Sequence, residues 1–519
     1  MSLLNKITLA YFAPLLRRID ESRKDPARFQ RECFEHLIKN GRDTAFGREH
    51  AFRSIRSTRD FQRAVPTRDY DAFQPYIDRL RNGEQHVLWN QRARWFAKSS
   101  GTSSDKSKFI PVTPDNLHAC HFGGFTRALV SFLQRHPDSR VLSGKALTLG
   151  GSVQVDNTGN GKALQGDLSA ILLRNSPRVA EINRVPARNI ALAPDFQEKI
   201  KRICETCSHL DVTSFSGVPS WNLVLLDKIL EYNNARFITD VWPNIELFMH
   251  GGIHFGPYRE QFSSLIPSPR MNYVENYNAS EGYFAFQDDD NDPSMLLAVD
   301  NGVFHEFIPA RELDNGNING PRELDTIESV TTGQPYALVI STNSGLWRYV
   351  IGDCVEFTSL YPHKIKIVGR TRLYMNAFGE EIMIGNAEKA ITIACERCNA
   401  RVREYTAAPL YMTINRKGAH QWLVEFIHPP ASLEEFTACL DDALRSVNSD
   451  YDAKRTGNNT MLPPVARIVP PGTFSRWMEE RGKTGGQNKV PRLSNDRRFI
   501  EQVIAIADRL DGNPSPPAG

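Results

Sequence analysis

Between residue 141 and about residue 300, short β-rich runs alternate with helical ones, and that alternation limits the possible folds more than any other feature. The runs KALTLGGSVQV, DVTSFSGV, ARFITDVW, IELFMHGG, MNYVENYNA and YFAFQ read as strands, and the stretch from Ser220 to Tyr232 reads as a helix between them. The pattern predicts an α/β domain with a substantial, partly parallel sheet. From 296 to 368 the chain turns predominantly β, which predicts an antiparallel sheet or barrel-like subdomain appended to the first. With 519 residues there is room for two or three domains with large cores.

Residues 1 to about 90 read as helices with short breaks. Leu3, Leu4, Ile7, Ala10 and Tyr11 recur at helical spacing, and Lys6 interrupts the apolar run. An amphipathic helix packed on the body is therefore expected rather than a targeting segment. Pro26 opens a helix with apolar positions at Phe29, Cys33, Phe34, Leu37 and Ile38, ending near Gly41. A further helical passage, Arg59 to Leu80, is expected to break at Pro66 and Pro75, and a Thr-Pro-Asp start begins another from Asp115 to about Arg135. The expected domains are a large one at 1–366, a hinge at 367–372, a small mobile α+β domain at 373–510, and a disordered tail at 511–519. In the small domain, helices are predicted at Glu381–Cys398, Leu433–Val447 and Asp496–Leu510, with strands at Leu410–Asn415, Gln421–His428 and ARIVPPGTF.

Sixty-three basic against 60 acidic side chains leave a formal charge of +3, which gives no ground for a nucleic-acid partner. No run of about 18 apolar residues occurs, so no transmembrane span is expected. Eight scattered cysteines suit a reducing, cytoplasmic setting. The pairs Cys204/Cys207 and Cys395/Cys398 have zinc-ligand spacing, but both lie in helix-like segments, and packed thiols are the expected outcome.

Four passages carry more polar chemistry than a plain core needs. The first is Trp95 to Thr113, where an apolar run enters the turn Ser99-Ser100-Gly101-Thr102-Ser103-Ser104, followed by Lys106, Lys108 and a second β-like run. Such a loop suits phosphate: glycine admits close approach, hydroxyls and free N–H groups donate, and lysine supplies counter-charge. The P-loop pattern itself does not fit, since Asp105 precedes Lys106 and a strand follows. Taken alone, the passage reads first as a polar surface hairpin, and the rest of the chain is what favours phosphate.

The second is Tyr277-Asn278-Ala279-Ser280-Glu281, where a ring can stack on a purine and a carboxylate can ligate a hard cation. The third, Trp347-Arg348-Tyr349-Val350-Ile351-Gly352-Asp353, ends in an acid able to take ribose hydroxyls. The fourth, Gly485-Gly486-Gln487-Asn488-Lys489-Val490-Pro491-Arg492, sets a lysine on a glycine-flanked loop. Singly these are also a tyrosine-bearing turn, a Gly-Asp hairpin piece and a solvated basic loop.

In this order the series resembles the adenylate-forming ligases, and more closely their acyl acid amido synthetases, the Gretchen Hagen auxin-responsive family, in a bacterial-type form. SSGTSSDKSKFIPVT, FMHGGIHFGPYREQF, YNASEGYFAFQ, GLWRYVIGDCVEF, VGRTRLYMNAFGEEI and GGQNKVPR carry the resemblance. It implies that ATP and Mg²⁺ activate a carboxylic acid as an acyl-adenylate, which an amino acid amine then attacks. Ser99, Ser100, Gly101 and Thr102 then resemble the phosphate loop, with Lys106 or Lys108 as its cation. Tyr277 resembles the residue beside adenine, Ser280 a phosphate contact, Glu281 the magnesium ligand, Asp353 the ribose-binding acid, and Arg370 a neighbour of the same hydroxyls. Lys489 resembles the C-terminal lysine that enters for adenylation and leaves when the small domain rotates. Phe215, Val218 and Trp221 fall where the family lines its acid pocket, and ordinary packing is an equal reading for them. Asp105 stands where glycine is frequent in the family; Asp tolerates positive φ better than most residues, so the turn is expected to survive.

The partners implied are a small carboxylic acid and an amino acid, acting on a monomer. The competing readings are an adenylating ligase with coenzyme A as acceptor, and a non-catalytic carboxylate- or nucleotide-binding protein on a ligase scaffold.

Overall fold

The computed structural model describes residues 3–99, 108–151, 153–155, 163–193, 195–252, 255–313, 319–370, 374–375, 380, 382–410, 418–448, 451–452, 455, 461–482, 490–494 and 497–512. The chain divides into two compact units: Met1–Ile351 with Val355–Lys366, and Gly352–Cys354 with Ile367–Gly519.

In the first unit the helix Pro26–Gly41 forms as its sequence predicts. The Asp25 carboxylate accepts from the Arg28 N–H at its start, Pro26 occupies the first turn, and Phe29, Cys33, Phe34, Leu37 and Ile38 are all buried. The first helix, Leu3–Tyr11, is present but packed differently from expectation. Leu3, Leu4, Ile7 and Tyr11 are exposed, and the residue it buries is Asn5, whose Nδ2 donates to the carbonyls of Pro137 (3.0 Å) and Ser139 (2.7 Å). Two polar bonds to a distant loop, rather than the apolar stripe, orient this helix.

Pro66 breaks the next helical passage as predicted, between Thr58–Ala64 and Tyr70–Arg81, but Pro75 does not. The helix runs through it because Tyr70, Phe73, Ile77 and Leu80 bury one continuous face. ARFITDVW, expected as a strand, instead contains the short helix Ile238–Val241, where the Asp240 side chain accepts from the Phe237 N–H. The helix after Thr113 begins as a π-helical turn, Asn116–Phe122, before continuing as α-helix from Gly123 to Arg135.

A twelve-stranded sheet carries the first unit. From one edge its order is Asp325–Thr326, Val303–Pro309, Pro335–Thr342, Tyr349–Leu360, His363–Arg370 and Asp292–Leu297. It continues through Gly282–Asp289, Asn272–Ala279, Leu247–Gly251, Val212–Gly217, Lys145–Thr148 and Arg184–Val185. The last five are mutually parallel. The strands of 296–368 thus run on from the parallel ones within one sheet. A separate four-stranded sheet holds Lys108–Val112, Trp95–Ser99, Leu164–Gly166 and Val153–Val155. Its hairpin register, from Trp95↔Val112 to Ser99↔Lys108, fixes both arms of the Ser/Thr/Gly loop.

In the second unit the helices Ile384–Arg397 and Leu433–Val447 pack against a sheet of Arg401–Leu410, Ala419–His428 and Val465–Val469. The strand expected at Leu410–Asn415 lies earlier, at Arg401–Leu410, and 411–417 fall outside the described residues. After Val469 the chain forms a helix, Thr473–Glu480, where the sequence suggested continued strand. The closing helix is Arg498–Leu510, with Asp511 and Gly512 turning after it and the rest of the expected tail outside the described residues. All eight cysteines are free thiols, with burial raising Cys204 to about 11. Among the described residues no group of three or more His, Cys, Asp and Glu side chains could hold a metal, and no helix is long and apolar enough to cross a membrane.

Candidate active site

Three neighbouring parallel strands end at one edge of the large sheet. Val212–Gly217 delivers Val218, Leu247–Gly251 delivers Gly252, and Asn272–Ala279 delivers Ser280 and Glu281. The register pairs Gly217 with His250 and Gly251 with Asn276, so the third strand reaches three residues further before turning. Carboxyl ends of parallel strands are where open α/β sheets place ligands. Glycine is required at 251, where a Cβ would collide with the Asn276 carbonyl oxygen, and at 252, where φ is +83°.

Ser280 and Glu281 are the two residues joining Asn272–Ala279 to Gly282–Asp289, closed by the Ala279↔Gly282 pair. Hairpin turns ordinarily face water, yet Ser280 is 8% and Glu281 6% exposed. A carboxylate held there bears a desolvation cost that requires polar or cationic company. The Tyr349 hydroxyl lies 3.5 Å from Glu281 Oε1 across 68 residues of sequence. Burial, then the Glu281 charge, pushes the Tyr349 phenol far above its ordinary value, so it stays protonated and donates.

The same loop meets the π-helical turn. His121 Nδ1 lies 2.9 Å from Asn278 Oδ1, and burial draws the imidazole down to about 4, leaving it neutral. Cys120 Sγ accepts from the Tyr283 N–H at 3.1 Å, and a Cβ on Gly124 would collide with the Tyr283 ring. His121 was not singled out from the sequence, and Tyr349 was named only as part of the passage that ends at Asp353. A histidine inside an apolar helical face and a tyrosine two residues after a tryptophan carry no local signal for the partners that they meet.

Tyr277 is buried, with its ring edge-on to Phe284 at 4.9 Å. Asp353 lies on Tyr349–Leu360, 6% exposed, immediately after Gly352 with φ +95°. Burial first, and the neighbouring Asp353 charge second, raise the Cys354 thiol to about 12. Lys108 opens its strand with Nζ 5.8 Å over the Tyr70 ring. Phe215 is a core residue, stacked on Phe248 at 4.3 Å. Val218 is half-buried and caps the helix Pro219–Asn233, accepting from the Asn222 N–H at 3.2 Å. Ser100, Gly101, Thr102, Lys106 and Lys489 lie outside the described residues, as do the side chains of Ser99, Trp221 and Arg370.

Residues 15–165 and 158–271 match the GH3 family N-terminal domain, 296–370 the GH3 family central domain, and 385–498 the GH3 family C-terminal domain. The chain is 23% identical to the probable indole-3-acetic acid-amido synthetase GH3.1 of Arabidopsis thaliana, over 97% of this chain and 95% of that protein. It is 21% identical to jasmonoyl–L-amino acid synthetase JAR6 of Nicotiana attenuata, over 92% of this chain and 93% of that one. Among solved structures, AtGH3.15 acyl acid amido synthetase in complex with 2,4-DB aligns with a TM-score of 0.78 at 17% identity, over 94% and 95% of the two chains. A 2-hydroxyisobutyryl-CoA ligase in its postadenylation state aligns at 0.57 and 14% identity, over 94% and 91%. These structural likenesses establish an adenylate-forming ligase fold with a large N-terminal and a smaller C-terminal domain. Matched along most of its length by three domain models, the chain belongs to the GH3 family.

Proposed function

We propose that the protein is an ATP-dependent acyl acid amido synthetase, joining a small carboxylic acid to an amino acid. The observation that carries this is the convergence at Glu281: a buried turn at the carboxyl ends of parallel strands, met by Tyr349 from a strand 68 residues away in sequence. A carboxylate oxygen of the acid attacks the α-phosphorus of ATP, the bond to the β-phosphate oxygen breaks, and pyrophosphate leaves. The amine nitrogen then attacks the acyl carbon, loses a proton, and AMP departs as the amide forms. Neither half-reaction needs covalent help from the protein, so its contribution is positioning and charge stabilisation.

In this reading Ser99, Ser100, Gly101, Thr102 and Lys108 cradle the phosphates, Asp353 and Arg370 hold the ribose, and Tyr277 adjoins the adenine. Ser280 contacts phosphate, Phe215, Val218 and Trp221 line the acid pocket, and Lys489 meets the charge developing at the α-phosphate. A single buried carboxylate, with no cage of other metal-ligating side chains among the described residues, fits Mg²⁺, which is held by one or two carboxylates together with substrate phosphates. Glu281 is the residue that would hold it, and bound there it would neutralise phosphate charge. The free cysteines support a cytoplasmic setting, and we take the active species to be the monomer.

The test supplies ATP and a panel of carboxylic acids, with each amino acid or coenzyme A as acceptor, and detects products by mass spectrometry. An amide with AMP is the expected product. A thioester formed in place of any amide assigns the acceptor to coenzyme A.

A further inference from the structure

Two side chains from outside the hairpin hold the turn that carries Ser280 and Glu281. An amide oxygen only accepts, so the 2.9 Å contact with Asn278 Oδ1 assigns the imidazole proton of His121 to Nδ1. The π-helical turn accounts for the reach: His121 and the adjacent Cys120 are both buried, one meeting Asn278 and the other the Tyr283 N–H. Such wide turns recur where a helix must deliver a side chain to a site. From a second element comes Tyr349, whose ring is fixed edge-on to Phe73 at 5.7 Å and whose predecessor, Arg348, is locked in the left-handed region. At 3.5 Å its hydroxyl is long for an O–H···O bond, so it steers Glu281 Oε1 rather than gripping it.

We propose that His121 and Tyr349 are positioning residues for the adenylation step, His121 by fixing Asn278 and Tyr349 by aiming the Glu281 carboxylate. The Tyr349 half rests on the reading of Glu281 as the divalent-cation ligand. Neither side chain touches a reacting atom in this assignment.

The test uses the full-length protein and four variants, Tyr349→Phe, His121→Asn, His121→Leu and Glu281→Gln. Free Mn²⁺ is titrated by electron paramagnetic resonance in the presence of a non-hydrolysable ATP analogue, and pyrophosphate formation is measured against Mg²⁺ and against acid. Tyr349→Phe weakens Mn²⁺ binding about 3- to 10-fold, the range of an ordinary net hydrogen bond and not of a short charge-assisted one, and leaves KM for the acid unchanged. His121→Leu slows pyrophosphate formation by roughly 10-fold, and His121→Asn, which keeps an N–H near the Nδ1 position, restores most of it. Asparagine as damaging as leucine overturns the role of His121. Unaltered Mn²⁺ binding in Tyr349→Phe, with Glu281→Gln weakened, overturns the role of Tyr349. If Glu281→Gln itself binds Mn²⁺ like the native protein, the metal assignment falls and the Tyr349 half falls with it.

Discussion

Arg348 adopts φ +48° and directs its Nε to both carboxylate oxygens of Glu306, at 3.1 and 3.0 Å, with neither side chain exposed. The rest of the guanidinium donates to the backbone carbonyls of Gln62, Val65 and Arg322. A left-handed arginine costs on the order of 1–3 kcal/mol and persists only where its surroundings over-determine it. Here one ion pair and three carbonyls do so, at the residue before Tyr349. Removing one partner leaves a buried charge uncompensated, so Glu306→Ala should lower stability by about 3–5 kcal/mol in urea denaturation. Arg348→Met combined with Glu306→Leu should cost less than the two single changes together.

Gly41 sits where an added Cβ would come 2.5 Å from the Trp347 ring and 3.1 Å from Phe52. Gly41→Ala sets a helix-propensity gain of at most about 1 kcal/mol against an overpacking cost of about 1–3 kcal/mol. Trp347 and Phe52 are 0% and 1% exposed and cannot swing into solvent, so the cost wins. The expected result is a melting temperature lower by about 1–3 °C.

Stability should also fall in mild acid, by an amount that His121 partly sets. Its ordinary pKa of 6.5 drops to about 4 in the fold because burial disfavours the cation. Between those values the unfolded chain binds a proton that the native one refuses. The contribution is therefore complete above pH 6.5 and is lost as pH falls toward 4. At about 1.4 kcal/mol per unit, His121 accounts for roughly 3 kcal/mol of that decline. Urea midpoints measured at pH 7.5 and 5 should differ less in His121→Asn than in the native protein.

Lys489→Ala should separate the half-reactions. If this lysine enters only for adenylation, pyrophosphate formation drops by about 10²- to 10³-fold, as for loss of one charge-stabilising donor. Amide formation from a supplied acyl-adenylate then continues near its native rate. Equal losses in both steps contradict the role.

Much of this architecture was legible because local signals agreed with tertiary need. Pro26–Gly41 had its cap, its proline and its periodic apolar face, and the alternating runs after residue 141 gave the parallel strands. Where local signals pointed elsewhere, long-range contacts decided the outcome. Ile238–Val241 is rich in β-formers yet capped as a helix, and Arg401–Leu410 lacks a clean two-residue alternation of burial. The apolar positions of Leu3–Tyr11 suggested a buried stripe, while Asn5 took the contacts. Glu281 was recognisable from its motif, whereas the pairings His121–Asn278 and Tyr349–Glu281, 157 and 68 residues apart, are not signalled by either segment of each pair.

The most direct measurement is acid-dependent exchange of labelled pyrophosphate into ATP with no acceptor present, read together with the nucleotide product of full turnover. Adenylation at the Glu281 turn predicts exchange with at least one carboxylic acid, AMP as the product, and loss of exchange in Glu281→Gln. Turnover that yields ADP and phosphate, or exchange that Glu281→Gln leaves intact, contradicts it.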